Sequence, residues 1–151
     1  KNHDYVLALQ YNHQARQLYE TDEDSLGVLK CLINEGGILH ARKDYARALQ
    51  VYRSSIELAG KLENEREKYL AVSDLATTFM NMDQHDSAAF YMRQSLQYHR
   101  EIENDPAVAI DMSKLGSLFG KMNRPRILNT GVAATSLRFV GEPRRGRRGS
   151  S

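Results

Sequence analysis

The feature that most constrains the fold is a stretch of sequence that recurs 40 residues further along the chain. Its first copy, from Lys43 to Ile56, reads KDYARALQVYRSSI, and its second, from Asp83 to Leu96, reads DQHDSAAFYMRQSL. Small, large apolar and hydroxyl residues fall at equivalent positions in both copies, and Ala8 lies in the same phase 40 residues before Ala48. A fixed period of this length predicts stacked structural repeats.

The spacing of apolar residues within each repeat is helical. Apolar side chains recur about every 3.6 residues and are interrupted by polar turns, which predicts a chain of α-helices. Asn64 and Glu67 predict a capping box at the start of one helix, and Pro106 fits the first turn of the last. The helices are expected over 4–20, 45–59 and 85–100, with others carrying the apolar residues of 26–39, 69–80 and 109–119.

Residues at equivalent positions of the repeats share size as well as polarity. A small residue beside a large one lets two helices approach closely, while the large residue fills the neighbouring groove. Each helix pair leaves an apolar face that only a neighbouring pair can bury. The shared columns are Glu35/Leu75/Leu115, Gly36/Ala76/Gly116 and Leu39/Phe79/Phe119 in the first helix of each pair, and Tyr5/Tyr45/His85, Ala8/Ala48/Ala88 and Ala15/Ser55/Ser95 in the second.

These columns resemble the tetratricopeptide repeat (TPR). Its pattern places Leu-Gly and an aromatic residue on the first helix, and Ala followed by an aromatic residue on the second. The matching residues are Leu115-Gly116 with Phe119, Leu75-Ala76 with Phe79, and Ala48 with Tyr52. Glu35 departs from the pattern, the chain has no Trp, and the spacing fits a 40-residue variety rather than the usual 34 residues. An unrelated helical array is the alternative.

The resemblance covers about residues 4–123 and implies an all-α fold. We expect antiparallel helix pairs stacked in a right-handed superhelix, an α-solenoid. Residues 1–123 would form a TPR-like domain with the second helix of one repeat, two full repeats and the first helix of another. After Asn123 the register fails, and Pro125 disfavours continuing in the same way. We expect residues 124–151 to be an irregular to disordered Arg/Gly-rich tail.

The residues give no sign of catalysis. Cys31 is the only cysteine, the five histidines show no metal-site spacing, and neither a phosphate loop nor a nucleophile elbow occurs. We therefore predict a non-enzyme without cofactor or metal. No apolar run is long enough to cross a membrane. The lack of a signal sequence and of disulfides favours the cytoplasm, although we expect the chain to be a fragment of a larger regulatory protein.

The resemblance also implies where a partner would bind. In such arrays the first helices line a concave groove whose inward side chains contact a peptide. The family mode that clamps a carboxylate is rejected, because only Lys114 has the required charge and Asp74 would repel a carboxylate. A peptide or helix with apolar anchors and a few hydrogen bonds fits better. The groove positions are Lys30, Ile33, Asn34, Gly37, His40, Ala41, Leu70, Ser73, Asp74, Thr77, Asn81, Ile110, Ser113, Lys114, Ser117 and Lys121; a solvated face without ligand is the alternative.

Three functions remain open at this point. The first is a non-catalytic interaction scaffold, resembling TPR segments of bacterial regulatory proteins or signalling adaptors. The second is binding of nucleic acid or an anionic surface, because the tail from residue 124 holds seven Arg and one Glu whereas the rest of the chain has a net charge of −4. Its candidate residues are Arg144, Arg145, Arg147 and Arg148. The third is self-association through the uncapped first and last helices.

Overall fold

The computed structural model describes residues 2–129, including the side chains of 4–123, and all of the regular structure in this range is helical. Six helices follow one another: α1 (Asn2–Thr21), α2 (Ser25–Ala41), α3 (Tyr45–Lys61), α4 (Glu65–Asn81), α5 (His85–Glu101) and α6 (Asp105–Asn129). From α2 onwards they begin at intervals of 20 residues. Consecutive helices from α1 to α5 pack on one another, and α2 also contacts α4. This is the packing of a helical-repeat solenoid and confirms the all-α fold.

The turns between helices share one backbone conformation. Between residues 2 and 129, five residues other than glycine have positive φ angles, and each stands two residues before the next helix: Glu23, Lys43, Glu63, Asp83 and Glu103. In every turn this residue donates its N–H three residues back, and the following residue donates five residues back, as in a Schellman motif. The last carbonyls of one helix are thereby bonded just before the next helix begins, which makes each turn short.

Only one of the two hydrogen bonds expected of a capping box forms at Asn64. The Asn64 side chain accepts a hydrogen bond from the Glu67 N–H at 3.1 Å, as a helix N-cap should. The backbone N–H of Asn64, which the Glu67 carboxylate was expected to bond, instead donates to the carbonyl of Ala59 at 2.9 Å. The preceding helix already uses this donor, because the same residue closes one helix and caps the next.

Close helix contacts form where small residues face large ones. A Cβ added to Gly36 of α2 would lie 2.5 Å from the ring of Tyr52 of α3, and one added to Gly27 would overlap the ring of Tyr19. Tyr52 itself is only 2% exposed. The glycines therefore let the helices approach until the aromatic rings lie flat against the opposite backbone. The expected pairing of small with large residues is confirmed at these two contacts.

Helix α6 continues beyond the expected limit of the repeats. It runs through Pro125 to Asn129, since a proline removes one helical hydrogen bond and need not end the helix. Backbone contacts divide the chain into two compact units, Lys1–Leu118 and Phe119–Ser151. The division at residue 123 stays a prediction, and most of the expected tail lies outside the described residues. None of the described helices is long and apolar enough to span a membrane.

Candidate functional site

A half-open cavity with a few polar side chains in its wall lies between α2, α3 and α4. It has a volume of about 180 Å³ and is lined by Gly37, His40, Tyr52, Asp74 and Thr77. We call it the α2–α4 cavity. Four of its five lining residues are groove positions proposed from the sequence, and they come from two successive repeats. Tyr52 was assigned a packing role only; it is largely buried, but it also lines the cavity.

His40 is held in place by hydrogen bonds from both of its ring nitrogens. The Thr78 hydroxyl donates to the carbonyl of Asp74 at 2.9 Å, so it accepts from His40 Nδ1, 2.8 Å away. The amide nitrogen of Asn81 lies 3.0 Å from His40 Nε2 and donates to it. Both ring nitrogens of His40 are therefore engaged by side chains of α4. His40 connects α2 to α4 as a fixed part of the cavity wall.

Lys114 connects α6 to the same surface of α4. Its ammonium group donates to the hydroxyls of Ser73 at 3.2 Å and Thr77 at 3.3 Å. The Thr77 hydroxyl has its own proton committed to the carbonyl of Ser73, which leaves its oxygen free to accept. Three predicted groove residues from two repeats thus form one hydrogen-bonded group, and Lys114 is fixed beside the cavity.

Asp74 and Tyr52 bring polar atoms to the cavity that are not used in hydrogen bonds to described side chains. Within the part of the chain that the structure describes, no group donates a hydrogen bond to the Asp74 carboxylate, and the Tyr52 hydroxyl has no hydrogen-bond partner. Burial raises the pKa of Asp74, and the positive charges of Lys114 and of protonated His40 lower it only in part. Burial, and then the negative charge of Asp74, raise the pKa of Tyr52. Both groups therefore have hydrogen-bonding capacity to offer a ligand.

Ile33, one of the expected groove positions, is a buried residue of the core. It is 8% exposed and belongs to the core cluster that contains Leu29, Ala59 and Ala71. The residue stands in the column of Ser73 and Ser113, but its apolar side chain packs in a cluster that includes Ala59 of α3 and Ala71 of α4. The groove surface in the first repeat is therefore narrower than the column comparison suggested.

The other proposed groove residues are spread over the surface. Asn34 is exposed and donates to Asn12, which in turn donates to the carbonyl of Cys31. Leu70 lines a second cavity of about 290 Å³ together with Tyr98 and Ile102. Lys121 is exposed on the part of α6 that belongs to the second unit. The remaining positions, Lys30, Ala41, Ile110, Ser113 and Ser117, are exposed and line neither cavity.

Sequence reasoning missed a buried polar cluster between α5 and α6. Asp111 is 2% exposed, and its Oδ2 atom lies 2.7 Å from His99 Nδ1 and 3.0 Å from the Ser95 hydroxyl. Although Ser, His and Asp are the residue types of a catalytic triad, both of the others bond the same carboxylate oxygen, and the Ser95 hydroxyl donates to it. No nucleophile is activated in this way, so the cluster is structural.

No cluster of three or more His, Cys, Asp or Glu side chains among the described residues could hold a metal ion. The Cys31 thiol is buried, and burial raises its pKa, which makes it a poor nucleophile. The chemistry available at the α2–α4 cavity is therefore hydrogen bonding and charge pairing by Asp74, Tyr52 and Lys114. Residues 144–148, which carry the proposed anion-binding arginines, lie outside the described residues.

Comparison with known proteins gives one distant relationship. No protein-family model matches the chain. The chain is similar to the Tonsoku-like protein of Bos taurus, with 29% identity over 140 residues. The similarity covers 90% of this chain and 10% of that relative, so the chain spans about one tenth of its length. The fold and this similarity are both consistent with a helical-repeat protein.

Proposed function

We propose that the chain is a TPR-like scaffold that binds an extended or helical peptide along the surface of α2, α4 and α6. The observation that carries this proposal is the pair of groups in the α2–α4 cavity that make no hydrogen bond to a described side chain, the half-buried Asp74 carboxylate and the Tyr52 hydroxyl. A partly buried carboxylate without a hydrogen-bond donor costs free energy of folding. A bound partner that supplies a donor would remove this cost, and such groups concentrate at functional sites.

The charges and exposed side chains around the cavity specify the ligand further. Asp74 accepts but cannot donate when ionised, so the peptide must present an N–H or O–H group to it. The Tyr52 hydroxyl can donate to a carbonyl of the same peptide. Leu70 and Ile110 are exposed at equivalent positions of α4 and α6 and offer contact to apolar side chains. A peptide with apolar anchors and hydrogen-bond donors fits this surface better than one that ends in a carboxylate.

Assignment to the 40-residue TPR variety is supported by the regular start of the helices and by the Gly36–Tyr52 contact. The short span of the similarity supports a parent protein that is a larger regulator, of which this chain is a segment. Binding of nucleic acid or an anionic surface by the Arg-rich tail is the second candidate. It is favoured by the seven arginines among residues 124–151.

The groove proposal is tested by selecting peptides from a random displayed library on the wild-type chain. The selected peptides are then measured against Asp74→Asn and Tyr52→Phe by calorimetry. Loss of a hydrogen bond to a charged group costs about 1.5–3 kcal/mol, so Asp74→Asn should weaken binding by about 10- to 150-fold. Asp86→Asn changes an exposed carboxylate on α5 outside the cavity and serves as the control. Equal binding to wild type and to Asp74→Asn would contradict the proposal.

A further inference from the structure

The second cavity, of about 290 Å³, lies beside the first turns of α4 and the last turns of α5. We call it the α4–α5 cavity. Tyr98 forms its apolar wall together with Leu70 and Ile102, which are 48% and 49% exposed. The Tyr98 ring is fixed in orientation, because it stacks on that of Tyr69 with the ring centroids 4.2 Å apart. Both α4 and α5 have a described helix before and after them, so the cavity is internal to the helical array.

His99 brings an available ring nitrogen to the wall of this cavity. Its Nδ1 atom lies 2.7 Å from Asp111 Oδ2 and 3.4 Å from the Ser95 hydroxyl, so these two side chains hold the ring in place. The other ring nitrogen, Nε2, makes no hydrogen bond to any described group and is not a buried atom. The two nitrogens of an imidazole point away from each other, so Nε2 faces away from Asp111 and can bond a ligand.

The charged groups of the wall favour a neutral ligand. The wall contains one guanidinium group, from Arg66, and one carboxylate, from the neighbouring Glu67. An anion in the cavity would be repelled by Glu67, and a cation would be repelled by Arg66. Asn104 adds only an uncharged amide. The ligand group is therefore apolar over most of its surface and carries an uncharged polar tip.

The preceding repeat shows that the fold does not require these side chains. Ala59 stands 40 residues before His99 and is 0% exposed, so the same packing accepts a small apolar residue there. Lys30 stands 40 residues before Leu70 and replaces its apolar contact surface with a charge. Exchange of a buried polar pair for apolar residues is often neutral or stabilising, so stability alone does not account for His99. The cavity wall is a property of this repeat.

We propose that the α4–α5 cavity binds the phenol ring of a tyrosine side chain from a partner protein. At roughly 30 Å³ for each non-hydrogen atom, a tyrosine side chain needs about 240 Å³, which fits the cavity of about 290 Å³. Its ring packs against Leu70, Tyr98 and Ile102. Its hydroxyl donates to Nε2 of a neutral His99 and accepts from Nε2 of a protonated one, whereas an indole N–H complements only the neutral form.

The cavity lies on the same face of α4 as the α2–α4 cavity. Residues 66–70 line one and residues 74–77 the other. At a rise of about 1.5 Å per residue, the middles of these two stretches are about 11 Å apart, which an extended peptide covers in about three or four residues. A single peptide can therefore reach both cavities. This connection rests on the function proposed above, whereas binding of a phenol in the α4–α5 cavity does not.

Two small probes that differ by one hydroxyl group, p-cresol and toluene, test the cavity on the whole chain. An NMR titration follows the methyl groups of Ile102 and the ring nitrogens of His99. We expect p-cresol to shift both sets of signals, and toluene to bind about 2- to 12-fold more weakly because it makes no hydrogen bond. Absence of these shifts, or equal affinity for toluene, would overturn the proposal.

A matched pair of variants tests the location. Ile102→Lys places a charge in the apolar wall and should weaken p-cresol binding by about tenfold. Leu62 is the C-cap of α3, 40 residues before Ile102, and is also exposed. Leu62→Lys should therefore fold as Ile102→Lys does and bind p-cresol like the wild type. Unchanged binding of p-cresol by Ile102→Lys would contradict the assignment.

Peptides selected on the wild-type chain test the connection to a partner. They should carry tyrosine about three or four residues from the residue that bonds Asp74. Replacement of that tyrosine by alanine should weaken binding to the wild type by about tenfold, but binding to Ile102→Lys by less than about twofold. Peptides that are sensitive to Asp74→Asn but not to Ile102→Lys would overturn the tyrosine assignment and leave the proposed function intact. If p-cresol binds but no peptide is selected, the proposed function fails and the phenol site stands.

Discussion

Replacement of His99 by alanine should destabilise the fold strongly, because it leaves Asp111 buried without its closest partner. The Asp111 carboxylate is 2% exposed and lies 2.7 Å from His99 Nδ1. Removal of a donor that leaves a buried acceptor without its hydrogen bond costs about 1–3 kcal/mol, and more when the acceptor is charged. The His99 side chain is 17% exposed, so water can replace part of the lost interaction. We expect a loss of about 2–3 kcal/mol for His99→Ala.

The preceding repeat supplies a matched control for this substitution. His99 and Asp111 stand 40 residues after Ala59 and Ala71, which are both 0% exposed and pack in one core cluster. The double variant His99→Ala/Asp111→Ala therefore recreates an apolar pair that the same fold already contains. It should be less destabilised than the sum of the single variants, with a coupling free energy of about 1.5–3 kcal/mol.

Urea unfolding followed by circular dichroism measures each corner of this cycle. The exposed pair Glu57–Lys61, with side chains 71% and 70% exposed and a 3.0 Å contact, provides a second cycle for comparison. Its coupling should stay below about 0.5 kcal/mol. If the His99–Asp111 coupling is equally small, or if His99→Ala is as stable as the wild type, the cluster does not stabilise the packing of α6 on α5.

Three further predictions concern stability. Burial raises the pKa of Asp74 in the folded state. Between its ordinary pKa and this raised pKa, the folded protein binds more protons than the unfolded chain. The free energy of unfolding therefore falls as the pH rises through that range. Asp74→Asn should therefore raise the melting temperature at pH 7 and remove this pH dependence; no change at pH 7 would contradict it. Gly36→Ala places a Cβ 2.5 Å from Tyr52 and should lower the free energy of unfolding by about 1–3 kcal/mol. The Cβ of Gly116→Ala meets nothing within 4 Å, so this control should stabilise α6 by about 0.5–1 kcal/mol. Equal effects of the two variants in denaturant titrations would refute the close packing at Gly36. Glu63 has a φ of 53°, and Glu63→Gly should raise stability by about 0.5 kcal/mol in the same titrations, unless the left-handed conformation costs Glu nothing.

The helices could be predicted from the sequence because the same helix–helix contact recurs in every repeat. Each column of small and large residues samples the same contact, so a departure at one position, such as Glu35, does not hide the pattern. The turns could not be derived in the same way. A left-handed residue after a helix is usually signalled by Gly, but here Glu, Lys or Asp occupies it. The short connections between helices impose the conformation, and no local preference reveals it.

Equivalent positions of the repeats predicted the residues of the candidate site only where those positions share the same environment in each repeat. Gly37, His40, Asp74 and Thr77 meet at one cavity because equivalent positions of neighbouring first helices lie side by side. Ile33 is buried because its apolar side chain gains more free energy from packing in the core than a polar residue at the same column position would. Asp111 was missed although the sequence held a signal: its column contains Cys31 and Ala71, so a buried environment was indicated for a charged residue.

Two carboxylates of neighbouring first helices illustrate how structural and candidate binding groups can be separated. Asp111 is the more deeply buried, yet two donors bond one of its oxygens, so its burial is compensated within the fold. Asp74 is less deeply buried, but Lys114 donates to Ser73 and Thr77 and not to Asp74, and no described group donates to its carboxylate. Removal of Asp111 should therefore cost stability, whereas removal of the Asp74 charge should increase stability and weaken peptide binding. If the Asp111 substitution lowers the free energy of unfolding and the Asp74 substitution raises it, as expected, then a contribution to stability does not explain why Asp74 lines the cavity.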